Sequence, residues 1–226
     1  MLFISSYKII RWEMDNRNNK KILEKISKYI TINETRNKDF KEYIVNFDEL
    51  KELNEDTVAW LNVKGVNINN AVVKTTDNNY YTYHNFMKKR NDAGWLFADY
   101  RNKLDGSDKN IIIYGHNMKN NSMFGSLGNV LKENWYNNED NYIIELITEK
   151  RQYRYQVFSI YKTQKEDYYI KTEFEKNEFE NFTNRLKERS IKDFNIEVSE
   201  NDRILTLSTC SNIDGYRTVL HAKKIR

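Results

Sequence analysis

The chain contains one cysteine, Cys210, and this residue is the first candidate for chemistry. It ends a β-branched and apolar run (residues 204–207), which predicts a strand, and residues 211–215 after it predict a turn. A thiol at the tip of a strand can be partly exposed and still held rigidly from behind. That placement suits a nucleophile, because the thiolate is the reactive form and needs both access and a cationic neighbour. The alternative is a small buried hydrophobic residue without chemistry.

A cysteine nucleophile needs a base or a cationic partner, and the chain offers three histidines. His116 follows the apolar run of residues 110–114 in a glycine-containing turn, which favours a side chain presented to the surface. His221 lies in the last predicted strand, which neighbours the cysteine strand, so it could also approach the thiol. His84 follows a tyrosine-rich run at residues 80–83, which predicts a strand, and has no partner in view. The residues alone favour His116 and leave His221 open, and a structural role is expected for the others.

The totals exclude several classes of function. The net charge of +4 is the balance of 37 basic and 33 acidic residues spread along the chain, without a polybasic segment, so no nucleic-acid partner is expected. One cysteine cannot form an internal disulfide. Three separated histidines do not match a zinc motif, so we expect neither a metal site nor a cofactor.

Helical spacing dominates the N-terminal part of the chain. Residues 1–10 are apolar but fall short of the roughly 20 that a membrane span needs, and they lack the features of a signal peptide. Apolar residues then recur every three or four positions from residue 11 to about 53, which predicts two amphipathic helices with a break at residues 31–34. We expect both helices to pack on a core. The alternative is a helix that binds a membrane surface or a partner.

From residue 55 the pattern changes to short strands, and the fold class it predicts is mainly β. About eight strands are expected, together with a tyrosine-rich segment at 80–83, a brief helix at 122–131 and a late helix at 173–189. The strands are at residues 58–63, 66–73, 94–98, 110–114, 142–147 and 153–160 and on both sides of Cys210. Such a set predicts a small closed or nearly closed barrel. The chain therefore divides into an N-terminal helical region, residues 1–54, and a catalytic barrel, residues 55–226.

Several motifs together resemble sortases, the cysteine transpeptidases that attach proteins to the cell wall of Gram-positive bacteria. The motifs are Thr206-Leu-Ser-Thr-Cys210 with Arg217 after it, Tyr114-Gly-His-Asn-Met118, Ala59-Trp-Leu-Asn-Val-Lys-Gly65, Asp77-Asn-Asn-Tyr-Tyr81 and Phe97-Ala-Asp-Tyr-Arg-Asn102. The late helix before the cysteine strand is similar to class B. Pilin-polymerising class C enzymes often carry an Asp-Pro-aromatic lid, which a chain without proline cannot have.

The resemblance implies an eight-stranded sortase-type barrel and a set of site residues. Cys210 would be the nucleophile, His116 the acid and base, and Arg217 the group that stabilises the oxyanion. The substrate would be a C-terminal sorting signal similar to Asn-Pro-x-Thr-Asn/Gly or Ser/Pro-Pro-x-Thr-Gly, cleaved after threonine through a thioacyl intermediate. The implied substrate contacts are Asn78, Tyr169, Ile170, Ser208 and Thr209.

The implied partners are surface proteins that carry the sorting signal and an amine of peptidoglycan or of its lipid-linked precursor. The implied location is the outer face of the cell membrane of a Gram-positive bacterium. Residues 1–10 look like the outer end of a signal anchor, so we expect further apolar codons upstream. The alternatives are a pilin polymerase, a cysteine peptidase that uses water, and a non-enzymatic surface barrel that binds a host protein or haem.

Overall fold

The computed structural model describes residues 2–34, 41–210 and 215–226, with side chains from residue 11 onward except at 34 and 41. The turn predicted at residues 211–215 therefore lies, apart from Gly215, outside the described residues. The N-terminal part contains α1 (Leu2–Ile26), a 3₁₀ turn (Ser27–Tyr29), a hairpin of β1 (Ile30–Glu34) and β2 (Lys41–Val45), and α2 (Phe47–Leu53).

The second predicted amphipathic helix is wrong over its first half, which is the strand β2. The segments that pair in the hairpin are rich in β-branched and aromatic residues, which favour strands over helices. The hairpin is also tied to the barrel by Tyr43, whose backbone N–H donates to Gln152 Oε1 at 3.0 Å and whose hydroxyl donates to Asn62 Oδ1 at 3.3 Å. Only the end of the predicted helix, α2, is helical, and the Asn46 side chain caps it by accepting from the Glu49 N–H.

Eight strands form a closed barrel, which confirms the predicted fold class. In chain order they are β3 (Thr57–Val63), β4 (Ile68–Val73), β5 (Phe97–Ala98), β6 (Asn110–His116), β7 (Ile143–Thr148), β8 (Gln152–Gln164), β9 (Ile204–Cys210) and β10 (Tyr216–Lys224). Their order around the barrel is β10-β8-β7-β3-β4-β5-β6-β9. The pairs β4–β5 and β6–β9 are parallel and the others antiparallel.

Short helices fill the connections between the strands. Residues Tyr80–Thr82 form a 3₁₀ turn rather than a strand, because the Asp77 carboxylate accepts from the N–H groups of Asn79 and Tyr80 and starts the turn. The brief helix predicted at 122–131 is a 3₁₀ helix, Gly125–Leu131. Further short helices are α3 (Glu133–Tyr136) and a 3₁₀ turn at Glu139–Asn141.

The late helix is confirmed as α4 (Glu178–Glu188), within the long connection from β8 to β9. Its buried residues Phe179, Thr183 and Leu186 are spaced as on one helix face, so the helix packs on the outside of the barrel. A second apolar cluster, distinct from the barrel core, lies there and includes Phe179, Ile204 and Val219. The outer faces of β9 and β10 are thus covered as well as their inner faces, and the site lies at the end of this covered region. Among the described residues, no helix is both long and apolar enough to span a membrane.

Candidate active site

The fold brings Cys210 and His116 together at one end of the barrel. Strands β6 and β9 run parallel, and their last register pair is His116 with Cys210. Neighbouring strands lie about 4.8 Å apart, and residues paired in register point to the same face of the sheet. The His116 imidazole and the Cys210 thiol are almost a hundred residues apart in sequence, and they lie on neighbouring strands in the fold.

The His116 ring is oriented by a backbone carbonyl. Its Nε2 atom lies 2.8 Å from the Thr82 carbonyl oxygen. A carbonyl can only accept a hydrogen bond, so Nε2 carries the hydrogen and the neutral ring keeps its lone pair on Nδ1. Burial lowers the pKa of His116 below 6.5, although the bond to Thr82 opposes this shift. At neutral pH His116 is therefore a neutral imidazole that can accept a proton on Nδ1.

The Cys210 thiol is protonated in the resting site. Burial raises its pKa to about 11, and the positive charge of Arg217 opposes this shift without cancelling it. The residue as a whole remains partly exposed. Cys210 thus keeps part of its surface exposed, while the environment of its sulfur disfavours the free thiolate.

Arg217 opens β10 beside the cysteine strand. Its Nη1 donates to the Tyr169 hydroxyl at 3.0 Å, and that hydroxyl lies 2.9 Å from Ser208 Oγ. Its Nε is buried and, within the described part of the chain, has no hydrogen-bond partner. Nor does Arg217 form an ion pair with any acidic residue in that part. The neutral Tyr169 hydroxyl therefore positions the guanidinium, and other N–H groups of Arg217 stay available to a ligand.

The five predicted substrate contacts surround these residues but differ in exposure. Tyr169, Ser208 and Thr209 are fully buried, whereas Asn78 and Ile170 are partly exposed. The buried three hold the site together: Tyr169 and Ser208 support Arg217, and Thr209 Oγ1 accepts from the Thr218 N–H at 2.9 Å. A contact between a substrate and these three side chains stays a prediction.

The buried carboxylate of Asp99 links the two partly exposed positions, a role that the motif at residues 97–102 does not predict. Asp99 accepts two bonds from the Arg101 guanidinium, at 2.8 and 2.7 Å, and one from Asn78 Nδ2 at 3.1 Å. Arg101 also donates to the Ile170 carbonyl at 2.9 Å. Burial disfavours the charge on Asp99, but the bonds from Arg101 outweigh it and hold the pKa of this carboxyl below its usual value. Asp99 and Arg101 thus fasten the loop that carries Tyr169 to the barrel.

The other two histidines are not paired with Cys210 in the sheet. His221 is register-paired with Thr206, four residues before Cys210 on the same strand, or about 13 Å away. It is fully buried between the Tyr161 hydroxyl and Thr206 Oγ1, each at 2.9 Å, and burial lowers its pKa to about 3. His84 stacks on the Tyr80 ring, with ring centroids 4.0 Å apart. Of the alternatives that the residues left open, the fold brings His116 to the cysteine.

Comparison with known proteins agrees with this architecture. A family model described as Sortase domain matches residues 61–225. Sortase B of Listeria monocytogenes is 34% identical over 229 residues, an alignment covering 100% of this chain and 92% of that protein. The crystal structure of sortase B from Bacillus anthracis superposes with a TM-score of 0.81 and 31% identity, covering 94% of this chain and 99% of that one. A sortase B crystal structure complexed with triglycine gives a TM-score of 0.75 and 35% identity, covering 80% of this chain and 85% of that chain.

Proposed function

Because the chain belongs to the sortase family, in its class B, we propose that it is a cysteine transpeptidase with Cys210 as nucleophile, His116 as acid and base, and Arg217 as oxyanion stabiliser. The substrate is a C-terminal sorting signal and the final acceptor an amine of peptidoglycan or of its lipid-linked precursor. The observation that carries the proposal is the register pair of His116 and Cys210 at the end of two parallel strands, with the guanidinium of Arg217 beside them.

The first half-reaction forms a thioester. The Cys210 sulfur attacks the carbonyl carbon of the signal's threonine, and the thiol proton passes to Nδ1 of His116. The negative charge that develops on the carbonyl oxygen is stabilised by the N–H groups of Arg217. The C–N bond then breaks, and His116 returns the proton to the leaving amine. The threonine end of the client protein stays bound to the sulfur.

The second half-reaction reverses these roles. An acceptor amine attacks the thioester carbonyl, and His116 removes a proton from the amine as the new amide forms. The C–S bond breaks, and His116 passes the proton it took from the amine to the sulfur, which regenerates the thiol. The triglycine bound to a related sortase B supports a peptide amine as the acceptor class. The partners are then surface proteins with a sorting signal and a cross-bridge amine.

The ionisation state of the site predicts slow turnover. With ordinary pKa values, thiolate and imidazolium would coexist in only about 1% of molecules near pH 7.5. In this site burial raises the pKa of Cys210 and lowers that of His116, so the charged pair is rarer still. The neutral pair is the resting state, and the proton transfer from sulfur to Nδ1 is part of the barrier.

As the resemblance to class B sortases implies, the signal binds between the end of the cysteine strand and the loop before α4. Ile170 and Asn78 present partly exposed surface there, and Tyr169, Ser208 and Thr209 form the layer beneath. The signal class is Asn-Pro-x-Thr-Asn/Gly or Ser/Pro-Pro-x-Thr-Gly.

Residues 55–226 are the catalytic domain and residues 1–54 an N-terminal region. The enzyme works at the cell envelope, on the outer face of the membrane.

Cleavage of quenched fluorescent peptides tests the proposal. Peptides carrying Asn-Pro-x-Thr-Asn, Asn-Pro-x-Thr-Gly and Ser-Pro-x-Thr-Gly are incubated with wild type, Cys210→Ala and His116→Ala, with and without triglycine. We expect wild type to cleave at least one peptide after threonine, both variants to lose this activity, and triglycine to appear at the new C-terminus. Cleavage retained in Cys210→Ala, or hydrolysis as the sole outcome when triglycine is present, would contradict a cysteine transpeptidase.

A further inference from the structure

The carbonyl that orients His116 sits in the middle of a row of three. The carbonyl oxygen of Tyr81 accepts from the Trp95 N–H at 3.0 Å, and that of Tyr83 accepts from the Asn91 N–H at 2.8 Å. The Thr82 carbonyl between them accepts from His116. The turn at residues 91–95 therefore fixes the two flanking carbonyls and, through them, the position of the middle one.

The turn at residues 91–95 packs closely against these three carbonyl groups. Gly94 has φ +57°, and a Cβ there would lie 2.5 Å from the Tyr81 oxygen and 2.8 Å from the Thr82 oxygen. The same Cβ would lie 3.0 Å from Cδ2 of the His116 ring. A displacement of the turn is therefore transmitted directly to the carbonyl and to the imidazole.

Helix α1 holds this turn from the outside through two buried amides. Asn91 is fully buried, and its Nδ2 donates to Asn19 Oδ1 at 3.0 Å and to the Asp15 carbonyl at 3.2 Å. Asn19 is 1% exposed, and its Nδ2 donates to the Gly94 carbonyl at 3.0 Å. The Asp92 N–H donates to the Asp15 carboxylate at 2.9 Å. The bonds of Asn19 with Asn91 and Gly94 are polar, buried and paired, a combination that fixes geometry.

We infer that Asn19 is a positioning residue for His116, acting through Asn91, Gly94 and the Thr82 carbonyl. By this inference α1, which lies outside the barrel, is a supporting part of the active site. The expected effect of Asn19 on catalysis rests on the proposed function. The structural link from Asn19 to the His116 ring is independent of that function.

The same helix supplies a matched control. Asn16 is 5% exposed, lies three residues before Asn19 on the buried face of α1, and has an amide whose nitrogen and oxygen lack partners among the described residues. Replacing it with alanine removes a buried asparagine from α1 without removing a bond to the turn. Asn16→Ala and Asn19→Ala thus separate truncation of a buried asparagine on α1 from loss of the link.

The experiment is an NMR titration of the histidine Cε1–H signals in the full chain. Three histidines give three signals, His84→Gln assigns one of them, and His221 does not titrate near neutral pH because its pKa is about 3. In Asn19→Ala we expect the pKa of His116 to rise toward 6.5, since water reaches a ring whose burial lowers that pKa. Asn16→Ala is expected to leave the His116 titration unchanged.

Peptide cleavage provides the second readout. We expect kcat of Asn19→Ala to fall about tenfold with little change in KM, and its pH profile to shift with the NMR titration. A variant that melts earlier but keeps the His116 pKa and kcat of wild type would overturn the inference. If Asn19→Ala does not fold, Asn19→Ser is measured instead, with the same two criteria. If wild type cleaves no peptide, the proposed function fails while the titration still decides the link.

Discussion

The reactivity of the thiol against pH is the prediction that follows most directly from the site. The only cysteine of the chain is Cys210, so alkylation by iodoacetamide followed by intact mass spectrometry reports this thiol alone. With a pKa of about 11, the thiolate fraction at pH 7.5 is about 0.03%, against about 10% for an ordinary cysteine. Alkylation of the folded protein at pH 7.5 should therefore be about 300-fold slower than that of the unfolded chain.

Replacing the neighbouring cation should slow the reaction further. The charge of Arg217 lowers the pKa of Cys210, so Arg217→Gln removes the favourable interaction and should raise this pKa further. The alkylation rate at a given pH should then fall below that of wild type, because the thiolate fraction is smaller. Arg217→Lys keeps a positive charge and should remain closer to wild type.

The rate constants are measured from pH 7 to 10.5, with circular dichroism at each pH to show that the barrel is folded. We expect a log-linear rise with a slope near one across this range. A rate that levels off below pH 8.5 would refute the reasoning, because it would mean a thiolate stabilised by the site. An equal rate in Arg217→Gln would show that the guanidinium does not act on the sulfur.

Three further predictions concern the groups around the site. Tyr169→Phe removes the hydroxyl that accepts from Arg217, and a bond to a charged group contributes about 1.5–3 kcal/mol, so kcat should fall at least tenfold with a small change in KM. Burial holds the pKa of His221 at about 3 in the folded protein, whereas an unfolded histidine binds its proton near pH 6.5. The unfolding free energy should therefore decrease by about 4 kcal/mol as the pH falls from 6.5 to 3. The decrease should be smaller in His221→Gln. Asp99→Asn weakens the bonds from Arg101, whose side chain is 36% exposed and can be hydrated, so it should cost about 1.5–3 kcal/mol in urea unfolding, with faster proteolysis of the loop before α4.

Each of these has a control and a contrary result. Tyr155→Phe, a buried tyrosine near the far end of the barrel, should leave kcat unchanged, and an equal loss in both tyrosine variants would point to packing alone. An unfolding free energy that is flat between pH 6.5 and 3 would mean that His221 is not buried in its neutral form. Asp105→Asn, an exposed turn residue, should match wild type in urea, and an Asp99→Asn protein as stable as wild type would remove the proposed fastening of the loop.

The periodicity of the sequence was sufficient to predict the barrel and the two strands that carry the site. Apolar runs of strand length ending at Cys210 and near His116 predicted their placement at strand ends, and the fold pairs these strands in parallel. Helical spacing at residues 40–53 was misleading, because residues at intervals of three and four also occur in a strand followed by a helix. The hairpin there is stabilised by contacts of Tyr43 with barrel residues, which local spacing cannot express.

The support of the site could not be predicted in the same way. The group that orients His116 is a backbone carbonyl, and no residue type marks it. The buried pair of Asn19 and Asn91 is separated by 72 positions, although Asn16 and Asn19 do interrupt the otherwise apolar buried face of α1 at Ile22 and Ile26. Two asparagines on a buried stripe are a signal that polar partners lie opposite, and this signal was available in the sequence.

The most direct test of the central claim is intact mass spectrometry of the enzyme mixed with a cleavable sorting-signal peptide in the absence of an acceptor amine. We predict a covalent adduct of the peptide's N-terminal part, ending in threonine, that maps to Cys210, is released by hydroxylamine and is transferred to added triglycine. Peptide cleavage that proceeds without such an adduct, or an adduct that persists in Cys210→Ala, would contradict the thioacyl mechanism.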